Sequence, residues 1–167
     1  ENVGESWGLA KAAASFGAAM GDLDGDGDLD LVVNNFEDPV SLYRNSSANG
    51  SHRVKIRLSG KKNRFGIGAT LKARMADGSI LTRYLTLSRG YYASDEPMVH
   101  FGLGNHAKIE ELQISWPGGV TQSIKDLPAD RFYTIAEPEK SSLKMSKKAA
   151  PFYTRMENAP GGKHFEM

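Results

Sequence analysis

The sequence predicts an all-β protein, with a small hairpin unit carrying an acidic metal loop followed by a larger sandwich or barrel-like β-domain. Three observations predict it. Apolar and polar residues alternate with period two in short runs, as in Val54, Ile56 and Leu58 against Arg53, Lys55 and Arg57, the pattern of half-buried strands. Hairpin turn signals separate the runs, notably Asp77-Gly78 and Pro117-Gly118-Gly119. Between two apolar runs lies Asp22-Leu23-Asp24-Gly25-Asp26-Gly27-Asp28-Leu29-Asp30, with five aspartates in nine positions.

Taken in order, residues 1–15 are small and polar around Trp7 and Leu9. The alanine-rich stretch at residues 9–14 favours a helical turn by propensity, but it is too short and too close to Gly8 and Gly17 for a helix. Residues 18–20 read as a short strand entering the acidic loop. Leu29, Leu31 and Val33 then alternate with polar neighbours, Glu37-Asp38-Pro39 marks a turn, and residues 40–44 alternate again, so residues 31–45 read as a β-hairpin. Residues 45–51 form a polar linker with Asn-x-Ser sequons at Asn45 and Asn49, which matter only in a eukaryotic secreted protein.

From His52 to Glu137 the pattern is a succession of strands near residues 53–58, 69–75, 80–87, 98–103, 109–116, 120–124 and 132–136. Spacing of this kind suggests a sandwich or barrel. The boundaries that follow are residues 1–48, 49–138 and 139–167. The last segment opens with a Lys/Ser-rich linker and carries too little apolar character for a core.

Composition narrows the function classes. The chain has 167 residues, 40% apolar and 25% charged, with a formal net charge of +1, the balance of a globular domain. That charge makes no case for nucleic acid, which needs a basic face or stripe. No apolar run approaches the ~20 residues of a membrane-spanning helix. The absence of cysteine excludes disulfides, thiolate zinc sites and cysteine nucleophiles. No signal peptide is visible, and the chain starts at Glu1 rather than methionine, as expected of a mature or excised piece.

The acidic loop carries the clearest chemistry. Five carboxylates this close repel one another by roughly 1 kcal/mol per near pair even at the dielectric of water. Embedded in apolar chain, such a run calls for a neutralising cation. Counting Asp22 as position 1, carboxylates fall at 1, 3, 5, 7 and 9, with glycine at 4 and 6. Calcium loops use side chains at 1, 3, 5 and 9, a backbone carbonyl at 7, and a glycine at 6 for the sharp turn. Asp22, Asp24, Asp26 and Asp30 are therefore the expected side-chain ligands of Ca2+, with Asp28 binding through its carbonyl. Magnesium, which demands a stricter octahedron and keeps its waters, suits the loop less well. The loop is not an EF-hand, because Val33 stands where the bidentate glutamate belongs. With no base or nucleophile beside it, the metal is expected to be a staple rather than a catalyst.

Other residues carry weaker signals. His52, His100, His106 and His164 show no metal-ligand spacing, and His100 reads as a packed strand residue. Ser94-Asp95-Glu96 lacks a Gly-x-Ser-x-Gly elbow and a placed histidine, so no enzyme is expected, an enzyme or enzyme accessory being only the third alternative after an assembly module and a carbohydrate-binding module. Tyr91, Tyr92 and Trp116 are the candidates for an aromatic sugar platform, although aromatics on a β-domain more often pack a core or hairpin. Lys61, Lys62 and Arg64 form a basic loop.

Phe16-Gly17, residues 22–30 and Leu31-Val32-Val33 resemble the FG-GAP (VCBS-type) repeat of β-propellers, one blade with its calcium loop. Residues 52–137 resemble the ASPIC/UnbV domain. Five pieces occur in that family's order: Gly66-Ile67-Gly68-Ala69, Gly90-Tyr91-Tyr92-Ala93-Ser94, His100-Phe101-Gly102-Leu103-Gly104, Trp116-Pro117-Gly118-Gly119 and Leu127-Pro128-Ala129-Asp130. Pro151-Phe152-Tyr153-Thr154 and His164-Phe165 resemble the opening of a further propeller module. The resemblance implies an extracellular or cell-surface location, calcium-stabilised structure and a role in adhesion or assembly, and no established reaction. A single blade cannot bury both of its faces, so the expected partner is the rest of a propeller or another protein, with glycan as the alternative.

Overall fold

A computed structural model of the chain describes residues 2–46 and 50–140. Ten strands and no helix are present among the described residues: β1 (Ser15–Gly21), β2 (Asp30–Asn35), β3 (Ser41–Tyr43), β4 (His52–Ser59), β5 (Thr70–Arg74), β6 (Ile80–Tyr84), β7 (Val99–Gly104), β8 (Lys108–Ser115), β9 (Thr121–Pro128) and β10 (Arg131–Ala136). The alanine-rich stretch before β1 is irregular. The resemblance noted at residues 151–165 lies outside the described residues.

Three sheets form. β1-β2-β3 is an antiparallel meander, with the acidic loop joining β1 to β2. The other two are β10-β4-β7 and β6-β5-β8-β9, and neither closes on itself. Of the two alternatives read from the sequence, the larger domain is therefore an open two-sheet arrangement and not a barrel. Within one of these sheets β10 returns to pair with β4 in parallel, from Arg131↔Val54 to Ala136↔Ser59.

The core between these sheets follows from strand parity. Val54, Ile56 and Leu58 from β4, with Val99, Phe101 and Leu103 from β7, meet Leu71 and Ala73 from β5 and Leu112 and Ile114 from β8. All are at most 4% exposed. Fully burying side chains of this size contributes roughly 1.5–3 kcal/mol each, so this cluster is the main stabilising element. Its hairpins close as their glycines require. Gly78 (φ 85°) follows Asp77, whose Oδ1 accepts the Ser79 N–H at 2.9 Å, and Gly119 (φ 84°) donates its N–H to the Trp116 carbonyl at 2.9 Å.

The β1-β2-β3 sheet contributes no hydrophobic residue to that core. Only Asp30 and Asn35 are buried within it, while Phe16, Met20, Phe36, Val40 and Leu42 are exposed. It meets the larger domain through the acidic loop and β1. Arg53 and Lys55, on the outward face of β4, reach the loop. On β1, the Met20 N–H donates to Asp95 Oδ1 at 2.9 Å. Gly17 lies so close to the segment carrying Tyr91 that a Cβ there would stand 2.8 Å from the Tyr91 carbonyl oxygen.

Candidate metal centre

The acidic loop is a chain of short local hydrogen bonds. Asp22 Oδ1 accepts the Gly25 N–H at 2.8 Å and Oδ2 the Gly27 N–H at 3.2 Å. Asp24 Oδ1 accepts from the Asp26 N–H at 3.2 Å, and Asp26 Oδ1 from the Asp28 N–H at 2.9 Å. Gly25 (φ 80°) and Gly27 (φ 92°) permit the bends that turn successive amides inward. Asp30, only 2% exposed, closes the turn from β2: its Oδ2 accepts the Leu23 N–H at 2.9 Å and its Oδ1 the Asn45 N–H at 2.8 Å. Those two amides hold the Asp30 carboxyl below the usual carboxylate range, the Asn45 bond contributing most. Burial pushes the Asp22 carboxyl upward, but Lys55 together with the Gly27 and Gly25 amides outweighs it, and the net shift is downward. Both groups are thus held ionised, the form a cation requires.

Carboxylate oxygens of Asp22, Asp24 and Asp30 lie within 4.8 Å of one another. Oxygens bound to one calcium ion at 2.3–2.6 Å can be separated by at most about 5 Å, so the spacing fits a shared ion. The donor set is all oxygen, as calcium prefers. Asp26 and Asp28 stand outside this group. Instead, Asp26 Oδ2 lies 3.8 Å from Arg44 and Asp28 Oδ1 3.4 Å from Arg53.

Sequence reasoning missed three cations around the loop. Arg44 Nε lies 2.7 Å from Asp24 Oδ2, Arg53 donates to the Asp26 carbonyl oxygen, and Lys55 Nζ lies 3.2 Å from Asp22 Oδ2. Lys55 also lies 3.3 Å from Glu96 Oε1, which accepts from the His100 Nε2–H at 2.7 Å. Burial lowers the His100 pKa despite Glu96. The available signal was the alternation of Arg53, Lys55 and Arg57 on one strand face; what that face meets is a tertiary fact. Five loop carboxylates therefore face three cationic side chains. Because Lys55 is shared with Glu96, the loop keeps a net negative charge, the sign that attracts a cation.

The proposed aromatic platform divides. Tyr91 and Tyr92 are exposed, with ring centroids 4.6 Å apart and nearly perpendicular planes. Trp116 is 3% exposed within the core, its Nε1 donating to Gln122 Oε1 at 3.1 Å, so it shares no open face with the tyrosine pair. What accompanies the tyrosines is Phe16, 6.2 Å from Tyr91, and Phe36, 5.5 Å from Phe16. Phe16, Tyr91 and Tyr92, with Val32, Asn34 and Ser94, border a cleft of about 500 Å³ beside the small sheet. Asp95 and Glu96 are engaged at the contact between the two units.

The family described as ASPIC and UnbV matches residues 59–142, just over half the chain, and the chain belongs to that family. It is similar to cartilage acidic protein 1 of Xenopus tropicalis, 28% identical over 127 residues, covering 73% of this chain and 20% of that protein. The Mus musculus protein of the same name is 26% identical over 128 residues, covering 74% of this chain and 20% of its own length. The chain thus spans about a fifth of these relatives. Among the described residues, no helix is long and apolar enough to cross a membrane.

Proposed function

We propose that this chain is a calcium-stabilised module of a larger secreted or cell-surface protein, acting in protein–protein assembly or adhesion rather than catalysis. The observation that carries it is the acidic loop: three carboxylates spaced for one ion, all-oxygen donors, and a net negative charge. Asp22, Asp24 and Asp30 would hold the ion, with Asp26 and Asp28 supplying further oxygens from the same loop. The ion would stiffen the turn between β1 and β2. The similarity to cartilage acidic protein 1 supports an extracellular setting.

The uncovered apolar residues of the small sheet support the assembly role. Phe16, Met20, Phe36, Val40 and Leu42 would sit against the remaining blades of a propeller or against another protein, because a three-stranded sheet without such cover is marginal in water. In this reading residues 1–48 are the blade, residues 49–138 the ASPIC/UnbV domain and residues 139–167 the link onward. The deciding measurement is thermal melting of the chain with calcium and with chelator. Calcium at a hundredfold excess over Kd should stabilise the folded form by about 2.7 kcal/mol. Identical melting curves, with no heat of calcium binding, would remove the metal from the account. Glycan-array binding lost on Tyr92→Ala would instead favour a carbohydrate-binding module.

A further inference from the structure

We infer that Lys55, on β4 of the larger domain, is a competing cation for the acidic loop, so that the larger domain sets how tightly the loop takes calcium. The inference rests on the calcium reading above. Lys55 Nζ lies 3.2 Å from Asp22 Oδ2 and 3.3 Å from Glu96 Oε1, so the ammonium is shared between a loop carboxylate and a carboxylate of the larger domain. Its side chain is 16% exposed, and those of Asp22 and Glu96 are 6% and 23% exposed, so solvent screens the trio poorly.

A calcium ion bound to an Asp22 oxygen would place two positive charges within a few ångströms of the ammonium. Repulsion then moves Lys55 onto Glu96, a displacement of one hydrogen-bond partner rather than a rearrangement of the strand. Arg53 differs, because it donates to the Asp26 backbone carbonyl and can stay in place as the loop fills. The loop and the larger domain are therefore thermodynamically linked. Whatever binds or shifts Lys55 changes calcium affinity, and calcium changes the contact between the two units by the same factor.

Calcium titration calorimetry of the 167-residue chain, at low salt, tests this with three variants. Lys55→Gln removes the competitor and should tighten calcium binding about tenfold, equivalent to ~1.4 kcal/mol. Lys55→Arg keeps the charge and should stay within about twofold of the parent, while Glu96→Gln removes the ammonium's alternative partner and should weaken calcium binding several-fold. Binding by the parent with an unchanged or weakened Lys55→Gln affinity overturns the competition and leaves the calcium reading standing. Heat from Lys55→Gln where the parent shows none supports it. Silence from both overturns this inference and the calcium reading together. If Lys55→Gln does not fold, the Lys55→Arg and Glu96→Gln pair decides: equal affinities in those two overturn the proposal.

Discussion

Gly66 shows how a single position enforces the packing of the larger domain. It is buried with φ 64°, and a Cβ there would lie 2.9 Å from two Leu58 side-chain atoms and 3.2 Å from the Trp116 ring. Alanine at this site meets both a left-handed backbone, costing about 1–2 kcal/mol, and an overfilled core, costing about 1–3 kcal/mol. Gly66→Ala should lower unfolding stability by about 2–4 kcal/mol in urea denaturation, and a variant as stable as the parent would contradict this packing. The same corner takes Trp116 out of any surface platform: it has the parity of Leu112 and Ile114, which points it inward, as the commoner core-packing role of aromatics on a β-domain anticipates. Tyr91 and Tyr92 sit in a loop, where no parity applies. Of the five loop aspartates, spacing identifies the group, while only folding shows that Asp22, Asp24 and Asp30 converge and that Asp26 and Asp28 turn to arginines.

At the scale of elements, strand pairing fixes one conspicuous ion pair. Arg74 on β5 stands directly opposite Glu111 on β8, with 2.7 Å between guanidinium and carboxylate, and Ser123 Oγ on β9 donates to the other oxygen at 2.7 Å. Arg74, then Ser123 and Gln113, hold the Glu111 pKa down to about 2, against 4.5 for an ordinary glutamate. A carboxyl depressed in the folded state stabilises above its unfolded pKa and loses that contribution as pH falls through the folded value. Between pH 4.5 and 2 the parent should therefore lose urea resistance faster than Glu111→Gln, and parallel pH profiles would show the pair to be idle. Strand existence was legible here because Asp77-Gly78 and Pro117-Gly118-Gly119 bracket alternating runs. Two features were not. Along β8, Ile109 and Leu112 are both buried although three residues apart, and opposite them Asp126 takes φ 54°; such a slip in alternation leaves no simple period. The parallel pairing of β10 with β4 joins segments 77 residues apart at Arg131 and Val54, and local pattern carries no information on that distance.

For the whole molecule, the division of labour is unequal. Every buried hydrophobic residue among the described ones falls between Val54 and Ile135, so among the described residues the core lies within 50–140. A chain trimmed to residues 50–140 should keep a cooperative melting transition, whereas residues 1–46 alone should show none in calcium-free buffer; loss of the transition on trimming would mean that the small sheet is integral to the fold. Ionic and polar contacts at the loop, with the Phe16–Tyr91 ring contact beside them, join the two parts, and charge patterning could have hinted at the former, since a strand face of basic residues follows an acidic loop. The parallel return of β10 has one more consequence, in the order of events as the chain emerges. β4 is the first strand of its domain to be made and the middle strand of its sheet, yet one of its neighbours is the last to be made. Distant pairings of this kind slow folding, because the closure of a long loop precedes the contacts that reward it. Until β10 is synthesised, one edge of β4 stays open to any other extended chain, the exposure that invites strand exchange between copies. The domain is therefore most vulnerable to mispairing just before it is complete.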